Sequence, residues 1–175
     1  SVGIYTLQQN TSGTCNTAIG RQALTSNTVG NCNTGVGTLT LLYNVTGCNN
    51  TALGFQSLFR NTASNNTAVG FCALRNNTTG TQNVAMGKNS LRDNTTGYNN
   101  VAFGNYSLFK NTTGKNNLAI GGGSLQYNSS GVENTAIGLQ ALLCNTVGNN
   151  NVAIGRKALY SNTASNNTAV GFCAL

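Results

Sequence analysis

A repeat of 17 residues, shortened to 16 in two places, runs through the chain from end to end and leaves few folds open to it. Counting the first Asn of each unit as column 0, units begin at Asn16, Asn33, Asn50, Asn66, Asn83, Asn100, Asn117, Asn134, Asn151 and Asn167. Column 4 is Gly in every unit, from Gly20 to Gly171, and column 8 is Leu in every unit, from Leu24 to Leu175. Column 11 is Asn from Asn27 to Asn162, usually followed by Thr and, two residues later, by Gly. Self-similarity at a fixed period marks a stacked array, whose units bury their apolar faces only against one another. A longer period is superimposed: residues 61–74 recur unchanged as residues 162–175, an offset of 101 residues or six units, and both copies carry the shortened turn. Stacked units accept block duplication because each contacts mainly its neighbours.

Within a unit, columns 1 and 3 are Thr or aliphatic and aliphatic or Phe, respectively, while column 2 is Ala in nine of ten units. Alternation with period two predicts a short strand. Columns 1 and 3 are expected to face inward, column 3 filling a core with the Leu of column 8, and Ala to face a close neighbour on the other side. Gly at column 4 suits a backbone conformation closed to other residues, or a close approach, and ends the strand. A second short strand is expected at columns 7 and 8, and Asn-Thr-x-Gly then supplies turn chemistry, with Gly at positive φ. Stretches such as Gln140-Ala141-Leu142-Leu143 are too short for a helix of ordinary length. Asn-Gly and Asp-Gly, the strongest hairpin signals, do not occur. The expected fold is therefore all-β: a parallel β-solenoid with one 16–17-residue coil per unit, about ten coils, in a single repeat domain spanning residues 1–175. Coils spaced about 4.8 Å apart make a rod about 50 Å long. Its two Asn columns become ladders of side-chain amides. Ser1 and Leu175 both fall in mid-unit, which suggests a segment of a longer chain.

Nine Lys and Arg face only Asp93 and Glu133, for a formal charge of +7, and the chain has no His. Catalysis has little to work with, because no imidazole is available as a base and the two acids lie in different columns more than two coils apart. Gly121-Gly122-Gly123 lacks the Lys-Ser/Thr ending of a phosphate loop. Without His or a Cys-x-x-Cys pair, no metal site and no cofactor are expected. No apolar run approaches the roughly 20 residues that span a bilayer, so no membrane insertion of this segment is expected. Among the six Cys, Cys15 and Cys32 share a column in successive coils. A spacing of about 4.8 Å lies within the Cα range of a disulfide, with reduced thiols the equal alternative and Cys48 a competitor one column away.

Arg60, Arg75, Arg92 and Lys110 occupy columns 9 and 10 of four successive coils and form a basic edge over roughly 15 Å. One reading is a solvated edge that keeps rods apart. The other is an anion site for acidic polysaccharide or cell-surface glycan, with Tyr98 or Phe109 for sugar stacking and no specific nucleic acid. Phe55 with Phe59, and Leu139 with Leu143, place apolar residues in columns 5 and 9 of single units. A stripe shared with another chain, hence a homo-oligomer, is expected.

The columns Asn-Thr-Ala-Ile/Val-Gly-x-x-Ala-Leu with a following Asn-Thr-x-Gly resemble the head repeats of trimeric autotransporter adhesins. They are still more similar to repeats in tail-fibre-like proteins of phages and large viruses, and the resemblance covers the whole chain. It implies a left-handed parallel β-roll, three chains packed into a rod, and a binding surface displayed at a cell exterior or on a virion. The adhesin unit is shorter, and Cys is atypical of it. The function expected is a non-enzymatic structural fibre or adhesin shaft. A flat-faced ice-binding solenoid is the alternative, suggested by the regular Thr and weakened where column 1 becomes Val84, Val101, Leu118 and Val152. An inward-facing column 1 would weaken it further.

Overall fold

The computed structural model describes residues 1–175 and is all-β, without a helix. Its strands are β1 (Thr17–Ile19), β2 (Thr34–Val36), β3 (Thr51–Leu53), β4 (Thr67–Val69) and β5 (Val84–Met86). They continue with β6 (Val101–Phe103), β7 (Leu118–Ile120), β8 (Thr135–Ile137), β9 (Val152–Ile154) and β10 (Thr168–Val170), each occupying columns 1–3. All ten pair in parallel in one sheet, in chain order. Register is kept even across the shortened units, with Thr51 opposite Thr67 and Val152 opposite Thr168. The chain is a parallel β-solenoid, one coil per repeat.

The sheet is turned the other way from the sequence expectation. Ala at column 2 is the inward residue, without exposure from Ala18 to Ala153, while columns 1 and 3 lie outside. The physical reason is the thinness of the coil, which Gly35 measures at the one column 2 position without a side chain. A Cβ built there would meet Leu24 Cδ1 at 3.5 Å and Thr40 Oγ1 at 3.0 Å. Ala and the Leu of column 8 thus fill the interior between them, and a side chain larger than Ala at column 2 would not fit.

No second strand forms at columns 7 and 8, which correct to part of a continuous run of turns. The Ala23 N–H donates to the Gly20 carbonyl at 3.3 Å and the Asn27 N–H to the Leu24 carbonyl at 3.2 Å, closing two turns in succession. Column 6 and column 8 both have positive φ, 57° at Gln22 and 53° at Leu24. A non-glycine residue there is disfavoured by roughly 1–2 kcal/mol. Leu nevertheless holds column 8 in every unit, because its side chain is the core: Leu24, Leu41, Leu58, Leu74, Leu91, Leu108, Leu125 and Leu142 have no exposure. Bonds between coils support the turns in both directions, with the Leu24 N–H donating to the Thr40 carbonyl at 3.0 Å and the Gln22 N–H to the Ile4 carbonyl at 2.8 Å.

Gly at column 4 meets both conditions expected of it. Gly20 has φ 120°, and a Cβ on it would lie 2.7 Å from the carbonyl oxygen of Gly37 in the next coil. Gly at column 14 differs from expectation, because its φ is not positive. It is glycine for lack of space: a Cβ on Gly97 would collide with the Gly114 carbonyl and with Asn94 Oδ1. Positive φ falls instead two residues later, at column 16, as in Asn49 (58°) and Asn99 (54°).

Both Asn ladders form, buried beside the Leu core. In column 0, the backbone N–H and the amide of Asn100 both donate to Asn83 Oδ1, at 3.0 and 3.1 Å. In column 11, Asn94 donates to Asn77 Oδ1 and Asn111 to Asn94 Oδ1, each at 2.7 Å. The two columns converge on the column 14 carbonyl, so that Gly97 O accepts from Asn83 and from Asn94, both at 2.9 Å. Thr hydroxyls at column 12 add a third row, Thr95 donating to the Thr112 carbonyl at 3.0 Å.

In the first shortened coil the Ala63 carbonyl takes the glycine's part, accepting from Asn50 at 2.8 Å and from Asn61 at 2.7 Å. Asn66 then crosses between the two ladders to reach Asn61 Oδ1 at 3.3 Å. In the second copy Asn162 turns to Asn151 Oδ1 at 3.4 Å, and the buried Asn145 Oδ1 is left without a donor. The same sequence thus joins the column 11 ladder in one coil, at a long 3.3 Å from Asn61 to Asn44, and interrupts it in the other.

Candidate functional site

With the sheet's orientation established, the rod has two unlike outer faces. The sheet face carries columns 1 and 3 of all ten coils, and neither column contains a single charged residue. Its column 3 row runs Ile19, Val36, Leu53, Val69, Met86, Phe103, Ile120, Ile137, Ile154 and Val170. Exposure reaches 43% at Ile19, 40% at Phe103 and 67% at Val170. Unpaired apolar rows of this extent are unusual on a solvated surface. Column 1 adds the Thr or aliphatic side chains, half-buried between them over most of the length.

The sequence places the expected apolar stripe elsewhere, in columns 5 and 9. There, Phe55 and Leu139 are exposed as expected, but Leu143 is buried and Phe59 is half-covered. One signal could have located the true stripe. Column 2 is small and nearly constant, as a tight interior requires, whereas column 3 varies from Val to Met to Phe, as only an open face permits.

The turn face carries the charge. Eight of the nine cationic residues, Arg21, Arg60, Arg75, Lys88, Arg92, Lys110, Arg156 and Lys157, stand in columns 5, 6, 9 and 10, the ninth being Lys115. The expected alignment of Arg60, Arg75, Arg92 and Lys110 on four successive coils is present, linked through backbone bonds such as Arg60 N–H to the Arg75 carbonyl at 3.0 Å. Arg75 Nε donates to Gln56 Oε1 at 2.8 Å and its Nη1 to Asn76 Oδ1 at 3.1 Å. Arg92 grips Asp93 with two bonds, of 2.8 and 3.1 Å, and Lys110 Nζ reaches the same carboxylate at 3.0 Å. Asn76 completes the set, donating to Asp93 Oδ1 at 3.2 Å. Partial burial pushes the Asp93 carboxyl up, but hydrogen bonds from Arg92 and Lys110, with their charges, outweigh this and hold it below the usual range. The Arg92 guanidinium is raised in return, first by its hydrogen bond to Asp93.

The aromatic residues on this face are engaged with those cations. Arg75 stands over the Phe59 ring at 5.2 Å, and Arg92 and Lys110 stand over Phe109 at 4.1 and 4.9 Å. Lys115 covers Tyr98 at 5.4 Å. The two rings expected to stack on sugars are therefore already occupied by cations of the protein itself. Phe55 and Phe71 stack on one another, centroids 5.3 Å apart and 18° from parallel.

Cys15 and Cys32 lie exposed and unbonded in the same column of adjacent coils, and Cys48 Sγ accepts a hydrogen bond from the Asn31 N–H at 3.3 Å. Cys72 is buried, and burial pushes its thiol up against the opposing pull of Arg75 and Arg92. No three His, Cys, Asp or Glu side chains come together as a metal would need. No helix is long and apolar enough to cross a membrane. The class defined by this geometry is a rod-like parallel β-solenoid with one apolar and one basic face. Comparisons of the chain with protein-family models, with curated proteins and with solved structures return no match.

Proposed function

We propose that the chain is a shaft segment of a structural fibre or adhesin, non-enzymatic, assembled as a homotrimer through its sheet face and exposed at a cell exterior or on a virion. The observation that carries this reading is the uncharged apolar row extending over all ten coils. Such a row repeats every coil, about 4.8 Å. A partner that meets every rung needs the same repeat along its length, and a second copy of this chain has it. Closed symmetry then hides the row on every chain at once. The number three comes from the resemblance to trimeric adhesin and tail-fibre repeats.

Light scattering tests the assembly. The chain is expected at three times its monomer mass of 18.0 kDa. Phe103→Asp with Ile120→Asp, two charges on outward positions, is expected to give a monomer with an unchanged far-UV spectrum. A folded wild-type monomer at micromolar concentration sinks the proposal.

A second reading draws on one observation. Thr17, Thr34, Thr51 and Thr67 stand outward in four consecutive coils, not inward as expected, and a regular outward Thr row is the raw material of an ice-binding face. Val84, Val101 and Leu118 interrupt it, and column 3 sets bulky side chains beside it. The readings compete for one surface. Recrystallisation inhibition by a monomer favours ice, and its absence in an oligomer favours the shaft.

A further inference from the structure

We infer that the turn face of the coils beginning at Asn50, Asn66, Asn83 and Asn100 binds acidic polysaccharide through Arg60, Arg75, Arg92 and Lys110, and that Asp93 is an internal competitor for that ligand. The inference rests on the shaft reading only in requiring this face to stay outside the assembly. Four cations and one acid leave three positive charges along three coil spacings, roughly 15 Å.

Asp93 shows what the site is shaped to hold. Its carboxylate takes two bonds from the Arg92 fork and one from Lys110, the geometry in which arginine recognises a carboxylate or sulfate oxygen pair. Arg75, one coil away, is tethered only by the neutral side chains of Gln56 and Asn76, so its charge is uncancelled and its Nη2 has no protein partner. Arg60 is exposed and has no acid beside it. Rings beneath Arg75 and Arg92 hold both guanidinium groups in place before any ligand arrives. Pre-ordering of this kind lowers the entropy lost on binding.

The same rings separate two classes of polyanion. Single-stranded nucleic acid needs bare aromatic faces, usually along a groove, on which successive bases stack. Here Phe59 and Phe109, the rings beside the cations, are covered, and Phe55 and Phe71, the exposed rings of neighbouring coils, stack on one another. A polysaccharide with spaced carboxylates or sulfates needs only the row of forks.

The test uses the full chain on immobilised heparin and polygalacturonate at low salt, with single-stranded DNA as the contrasting probe. Arg75→Gln with Arg92→Gln is expected to weaken polysaccharide binding by roughly tenfold or more, since hydrogen bonds to charged groups are the ones lost. Asp93→Asn is expected to tighten it several-fold by freeing Arg92 and Lys110. Wild-type binding should fall steeply with added salt. Retention equal in all three proteins overturns the inference, as does weaker binding by Asp93→Asn with an unchanged far-UV spectrum. Stronger retention on DNA than on either polysaccharide overturns the choice of ligand. Light scattering on the same samples reports separately on the shaft assembly, so the two ideas fail independently.

Discussion

On the strand side of each coil, three residues in extended backbone pair in register with the coils above and below, and their outward side chains vary, among apolar types at column 3 and between Thr and aliphatic residues at column 1. On the turn side, six columns run through consecutive turns with two residues at positive φ, and one of those, Leu, never varies. Column 6 shares that backbone conformation yet accommodates Gln22, Cys72, Tyr106 and Lys157. Column 16 also shares it, and there Asn, which tolerates the conformation well, fills six units of ten. Backbone preference therefore selects the residue only where nothing else does. At column 8, packing overrides it, and at column 6 neither constraint is tight, with Tyr106 exposed and Cys72 buried.

Three substitutions sharpen this contrast. Leu108→Ala removes the interior that both sides share and is expected to destabilise the fold by about 2–5 kcal/mol. Ile120→Ala, on the outer side of a strand, should change the stability of a dissociated chain far less. Chemical denaturation of both at matched association state measures the difference, and equal losses would break the distinction between the faces. Asn94→Ala cuts the ladder on the turn side, stranding Asn77 Oδ1 and an Asn111 amide hydrogen, at a loss of about 1–3 kcal/mol. A loss within error would mean that water replaces the ladder.

The smallest effect joins the two sides across the core. Gly35 stands opposite Thr40, whereas coils with Ala at column 7 (Ala23, Ala73, Ala141, Ala158) carry Ala at column 2. Gly35→Ala alone is expected to be near neutral, with crowding against Thr40 offsetting the reduced freedom of the unfolded chain. In a Thr40→Ala background, which lacks the crowding oxygen, the same change should stabilise by about 0.4–1 kcal/mol. A double-mutant cycle without coupling would remove the proposed contact.

What could be read in the sequence divides along the same line. Period, parallel stacking, the Leu core and both Asn ladders were legible because each follows from a column repeated at a fixed interval. The direction of the strand was not, since alternation at Thr17-Ala18-Ile19 reports two faces without saying which is inside. Nor was the left-handed backbone at Leu24, because Leu there contradicts its own preference and only the filled interior explains it. Gly97 was correctly singled out for the wrong reason: crowding by Asn94 and Gly114, not φ, excludes a side chain. The basic row was legible from Arg60 to Lys110. The covering of Phe109 was not, because it depends on where Arg92 and Lys110 point.

The Asn columns share one orientation. Asn111 donates to Asn94, Asn94 to Asn77, and in the other column Asn134 donates to Asn117 and Asn117 to Asn100, always from the later coil to the earlier. Every side-chain carbonyl thus aims along the axis toward later coils, and one hydrogen of each amide toward earlier ones, the other staying on the column 14 carbonyl of its own coil. The rod is a directional object, with a hydrogen-donating end and an oxygen-presenting end to any run of coils, as the orphaned Asn145 Oδ1 illustrates where the column is interrupted. Two such runs can continue one another only head to tail, because oxygen facing oxygen leaves both rows unsatisfied.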